Sequence, residues 1–380
     1  MQNHFQIPEV KSSLLEKFGI YYLKFFWQKD STHRVFDFTD EDLTKKVSHI
    51  TRKGIVYSCI VGIVCIFPTI WINIYLSGSP FLIHYGWVAG VSAVCIGIEL
   101  YLLFLIALKA VYEVSEIINM RASKSELLQG GVFSVPHILS RTALELPDPE
   151  LKILGIDPFK RISKKNLLIL GLLYKAKIFL TNLVTKNLLL LTVGQTVEGV
   201  SISYFALVVE CFWNGAVIIR VVHEARLRLF GFALANQIAE EVLHEKMLTQ
   251  LSPLAKTGCL RAIGNVVVMA QNYHPNMMIL LIRFQQLLQL EKEDKYDDWN
   301  LFLETLKSVS EKERNFLLDL FTVSAAFDGK VSHLEEENLR SVYGHEYDLY
   351  YKRLMQLTDH LKKGKLNAAL SLCRLDFVAG

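Results

Sequence analysis

The run Gly86 to Leu108, GWVAGVSAVCIGIELYLLFLIAL, is long and apolar enough for a membrane span, yet it carries a glutamate, Glu99, near its middle. An ionised carboxylate in hydrocarbon costs about 2.5–3.5 kcal/mol on insertion scales, so Glu99 requires a partner, a proton or a function. The arrangement recurs. Glu99, Lys109 and Glu113 are matched by Glu210, Arg220 and Glu224, each 111 positions further on, in E-LYLLFLIAL-K-AVY-E and E-CFWNGAVII-R-VVH-E. The spacing predicts an internal duplication of a membrane hairpin.

With 51% hydrophobic residues and a mean hydropathy of +0.28, the chain is too apolar for an ordinary soluble protein. At 21% charged residues it is too polar to lie wholly in lipid. A membrane core with cytosolic parts follows. A net charge of +3 gives no argument for nucleic acid, and none is expected as a partner. Cys59, Cys65, Cys95, Cys211, Cys259 and Cys373 form no CxxC pair and avoid the expected outer loops, so they read as small apolar residues in reduced surroundings. The first 30 residues carry Lys11, Glu16, Lys17, Lys24 and Lys29 without a clean apolar stretch, and no cleaved signal peptide is expected.

The fold class expected is all-α: a four-span transmembrane helical bundle built from two repeated hairpins, plus a cytosolic α-helical bundle. Residues 1–50 form a cytosolic or interfacial N-terminal segment, in which Ser12 or Ser13 caps a helix to about Trp27. Its Leu14, Phe18, Tyr22, Phe25 and Phe26 share roughly one face, so it lies in the membrane interface or packs on the cytosolic domain. Residues 51–111 are hairpin 1, with spans near 54–76 and 86–108 and an outer loop, 77–85, free of Lys and Arg. Lys45, Lys46, Arg52, Lys53 and Lys109 place the other side in the cytosol, and both termini with it. Residues 112–165 are a cytosolic connector: the second helix continues to about Leu128, Gly130-Gly131 ends it, and Pro136, Pro147, Pro149 and Pro158 punctuate a segment of little regular structure. Residues 166–249 are hairpin 2 with a helical extension to about Leu248; the register of its first span is open. Residues 250–380 read as helices at 254–273, 275–291, 298–308, 311–326, 333–343 and 347–363.

Glu99 and Glu210 each stand ten residues from the basic residue at the cytosolic boundary, roughly 15 Å at the helical rise, which is near midplane. Lys175 reaches the same depth in one register. Glu99, Glu210 and Lys175 therefore form an intramembrane charged site, with Lys109, Glu113, Arg220 and Glu224 as repeat charges at the cytosolic ends. Two readings stay open: a proton or cation site between repeats, or a structural pair that holds the hairpins together. Gly86-x-x-x-Gly90, with Ala93 and Gly97, offers a small-residue face for the hairpin itself or for a homo-oligomer. Glu241 and His244 make an ExxH pair without a second copy, so a charged helix face is the better reading than a di-iron site.

The distinctive soluble motif is A-A-F-D-G-K-V-S-H-L-E-E at 325–336. Gly329 suits a positive φ, and Ser332 with Glu335 spells a capping box. Read as a calcium loop it fails, because Ser324 and Ala326 would fill the first ligand positions. The helix, A-A-x-D-G-K-V-S-x-x-E, helix pattern resembles TerB-like domains, the all-helical modules named for tellurite resistance. The resemblance implies a TerB-like domain over 250–380, a bacterial inner-membrane location, a stress-related role, and a metal ion as the only cofactor, at Asp328, Glu335 and Glu336. No Ser/His/Asp elbow, P-loop, HExxH or kinase signature is present, so no enzyme is expected. The function expected is a membrane-anchored sensor or scaffold, and the alternative is a small proton- or cation-coupled transporter using the paired glutamates. The partners expected are the lipid bilayer, a second copy of the chain and a cytosolic protein.

Overall fold

The computed structural model describes residues 12–26, 38–118, 134–146, 148, 156–157, 200–242, 250–288, 290, 296–331 and 333–376, with the backbone alone at 200–206, 241–242 and 333–335. The described residues are helical throughout, with no strand among them. The third span, Lys175 within it and the Gly130-Gly131 break lie outside the described residues.

Helix α1 is Leu14–Phe26, α2 Asp40–Tyr75 and α3 Phe81–Ile117. Thr39 starts α2 by accepting the Asp42 amide, and three acidic residues in its first turn suit the positive end of the helix dipole. At 37 residues α3 extends roughly 55 Å, so it outruns a bilayer core and continues beyond it. Helices α2 and α3 are the two among the described residues that are long and apolar enough to cross a membrane, with mean hydropathies of 2.3 and 2.4. Only 22% and 17% of their most apolar stretches are buried, the reverse of a soluble core helix. Val64, Trp71, Trp87 and Val94 instead face outward. The hairpin turn is closed by His84, whose ring bonds the Leu76 carbonyl at 2.7 Å and the Asn73 side chain at 3.1 Å.

Helix α1 packs on α3 and on α4, Val135–Ala143. Phe18 stacks on Phe104 with centroids 5.3 Å apart, and Phe26 lies 5.8 Å from Tyr112. Leu14, Tyr21 and Phe25 remain exposed while Glu16 is buried against His137 and Arg141, each at 2.7 Å. The expected single aromatic face is thus split, one side holding α3 and the other open. Helix α4 was not expected: Ser134 at its N-cap and Pro136 in its first turn start a helix where prolines read as breaks.

Helix α5, Val200–Gln237, packs against α2 and α3 and continues through a π turn, Ile238–Val242, into a second helical body. That body comprises α6 Pro253–Ala270, α7 Pro275–Leu288, α8 Trp299–Ser308, α9 Glu311–Ala326, α10 His333–Tyr343, α11 Tyr347–Lys363 and α12 Leu366–Leu372. Six of these follow the sequence pattern closely, and α6 and α7 are buried helices of the body as the interrupting polar residues indicate. Phe302 stacks on Phe321 at 5.5 Å and Tyr343 on Tyr350 at 4.8 Å, while buried Arg353 bonds Asp319 and the Leu372 carbonyl.

Two joints fasten the body, one to α2 of the apolar hairpin and one to α5. The Asp40 carboxylate caps α12 by accepting the Asn367 and Ala368 amides at 2.8 and 3.1 Å. Asn276 donates to the carbonyls of Leu227 on α5 and Phe327 at the end of α9, at 3.1 and 3.0 Å. Gly329, at φ +71°, then lets the turn sit against Leu227, 3.0 Å from where a Cβ would stand. A larger residue there meets both strain and a clash.

Candidate functional site: the buried glutamate pair

Three helices meet at the level of Glu99, and the small residues of α2 set how closely. Gly54, Ser58 and Gly62 recur every fourth position and are buried against α5. A Cβ on Gly62 would stand 2.6 Å from Asn214 Nδ2 and 2.8 Å from Glu210 Cγ, and one on Gly54 2.8 Å from Ile218. This stripe carries the close contact between α2 and α5; among the described residues, a Cβ on Gly86, Gly90 or Gly97 would meet nothing within 4 Å. Cys59 and Cys211 flank the crossing, each Sγ lying against the other's carbonyl, at 3.4 and 3.8 Å.

At that crossing Glu99 and Glu210 come together, exposed by only 5% and 1%. Asn214, one turn after Glu210, points its amide between them. Its Nδ2 donates to Glu99 Oε1 at 2.8 Å and reaches Glu210 Oε1 and the Ser58 carbonyl at 3.4 Å each. The short bond is strong, and the two longer ones are at the margin of good geometry. The cluster is a buried clasp: two carboxyl groups from α3 and α5 share one amide, and backbone of α2 closes the third side. Asn214 was not foreseen. Its signal was its place at i+4 from a glutamate in an apolar run, on the same helix face.

The charges matched by the 111-residue spacing do not play equivalent parts. Glu113 accepts from Lys53 of α2 at 2.9 Å, whereas Glu224 pairs with Arg228 of its own helix at 2.7 Å. Arg220 bonds Glu145, and Lys109 is exposed. The difference follows from the neighbours: α3 has α2 beside it, while α5 faces the connector, where Asp148 meets Arg228 at 2.6 Å. Burial would raise the Glu224 carboxyl, but Arg228, which bonds it, and Lys330 hold it below its usual range.

The Asp328 turn is built as structure. Its carboxylate accepts the Lys330 amide at 2.9 Å and the Asn272 side chain at 3.2 Å, and the residue is 4% exposed. Burial raises its carboxyl despite those bonds. Glu336 lies 3.6 Å from Arg340 at the surface, and the side chain of Glu335 lies outside the described residues. Among the described residues no group of three His, Cys, Asp or Glu side chains is arranged to hold a metal ion. Ser310 and Glu313 form a capping box not foreseen in the sequence, while the one expected at Ser332 and Glu335 lies outside the described residues.

His274 stands nearby, 7% exposed, with neither ring nitrogen hydrogen bonded among the described residues. Burial, helped by Arg228, pushes it down to about 3, so it is neutral at ordinary pH.

Comparison of the chain with protein-family models, curated proteins and solved structures gave no match.

Proposed function

We propose that the chain is a membrane-anchored scaffold or sensor: a four-span bundle of two related hairpins, held in the bacterial inner membrane, that carries a TerB-like helical body in the cytosol. The observation that carries this reading is the closure of Glu99 and Glu210 on Asn214. Two acidic groups that are 5% and 1% exposed and wedged against Gly62 serve as a lock between helices better than as a wet pathway. Aromatic residues at the hairpin turn, Trp71, Tyr75, Phe81 and Tyr85, and lysines at the opposite end are the pattern of a spanning pair with its turn outside. The joints at Asp40 and Asn276 give such a scaffold a rigid link to its cytosolic body, through which a bound partner would feel the state of the bundle.

The transporter reading draws on the same pair at midplane. The Glu99→Gln, Glu210→Gln double variant, reconstituted in vesicles, separates them. The scaffold reading expects it to fold, to assemble and to match wild type in ion flux. A flux present in wild type and lost in a folded double variant would overturn it. Deleting 250–380 must remove the chain's cytosolic interactions; their survival would be equally fatal.

A further inference from the structure

A cavity of about 360 Å³ opens sideways between α2 and α3, on the outward face of the hairpin. Its cytosolic end holds Lys53, Lys109 and Glu113; the rest is lined by apolar side chains such as Ile60, Leu102 and Leu105. A second hollow of about 410 Å³ shares Ile50 with it and adds Lys45, Lys46 and His49. Glu113 is already engaged by Lys53 at 2.9 Å, and Lys109 is exposed, so the charge the groove offers outward is positive. Amphipathic order along one groove, cations at the boundary and hydrocarbon behind, matches one kind of ligand.

We propose that this groove is a binding site for an anionic phospholipid, with the phosphate at Lys109 and Lys53 and an acyl chain along Ile60, Leu102 and Leu105. The proposal rests on the reading of α2 and α3 as membrane spans. Basic pockets between spans on the cytoplasmic side take acidic headgroups because the surface potential and the pocket act together. A small soluble anion would leave the apolar length of the groove unused, and a zwitterionic headgroup would bring its own cation against the lysines.

The test is native mass spectrometry of the full chain in detergent with equal amounts of dioleoyl phosphatidylglycerol and dioleoyl phosphatidylcholine. Wild type is expected to hold phosphatidylglycerol first. Lys109→Gln weakens that binding about fivefold, the worth of one charge at an anionic surface, and leaves phosphatidylcholine unchanged. Lys53→Gln with Glu113→Gln, which removes a cation and its partner together and leaves the net charge unchanged, weakens it less than Lys109→Gln does. Equal binding of the two lipids by wild type, or no change in Lys109→Gln, overturns the site. If the variants fail to fold, a salt series on wild type decides: phosphatidylglycerol binding that salt does not weaken refutes the proposal. A chain that does not partition into membranes at all refutes the spanning reading instead, which keeps the two failures distinct.

Discussion

Replacing Asn214 by Leu removes the shared amide with little change of volume, and its cost follows from the geometry. One donor bond at 2.8 Å and two at 3.4 Å are lost. A hydrogen bond to a charged group contributes about 1.5–3 kcal/mol in soluble proteins, but interhelical bonds in membrane bundles average about 0.6 and reach about 1.7 kcal/mol. With one strong bond and two weak ones the expected loss is about 1–2 kcal/mol. The assay is reversible unfolding in lipid micelles, run as a cycle with Glu99→Leu. Because Glu99 receives the short bond, Asn214→Leu should cost less once Glu99 is gone, with a coupling of about 1 kcal/mol. An additive cycle, or an Asn214→Leu variant as stable as wild type, refutes the claim that this amide clasps the pair.

Gly62→Ala should destabilise by about 1–3 kcal/mol, because its Cβ meets Asn214 and Glu210 in a packed site, while Gly90→Ala changes stability little in the same melt. Cys59 and Cys211 should join through a short thiol cross-linker, seen as one linked peptide pair by mass spectrometry; its absence would contradict the α2–α5 crossing. His274 binds its proton less readily folded, with a pKa near 3, than unfolded, near 6.5, so its share of stability is intact above pH 6.5 and is lost as pH falls toward 3. By pH 5 the loss is about 2 kcal/mol, and His274→Leu should flatten that limb of a stability-against-pH curve. Arg353→Met should cost about 3–5 kcal/mol in chemical unfolding, because it takes the cation from buried Asp319.

Much of the second helical body was legible because its breaks are chemical: Ser252-Pro253 and His274-Pro275 start helices and Gly364 ends one where the pattern changes. Helix α12 was missed, since its seven residues are too few for a periodic signal and its N-terminal amides are satisfied by Asp40, more than three hundred positions away. The meeting of Glu99 and Glu210 could be read from depth alone, because matched spacing from a basic boundary fixes height in a bilayer. Height does not fix rotation about the helix axis. The choice of Gly54, Ser58 and Gly62 over Gly86 and Gly90 as the contact stripe depends on which face each helix turns inward, and both stripes look alike in sequence. Asn214 was hidden for a related reason: a polar residue beside a glutamate reads as a second expense until the two are seen to offset one another.

The central claim is that Glu99, Glu210 and Asn214 form one dry contact. Water-edited solid-state NMR of the full chain in bilayers, labelled at these side chains, tests it directly. A dipolar contact between the Asn214 side-chain nitrogen and the Glu99 carboxyl carbon is expected, with little magnetisation arriving from water. Loss of that contact, or rapid transfer from water to either carboxyl, would contradict it.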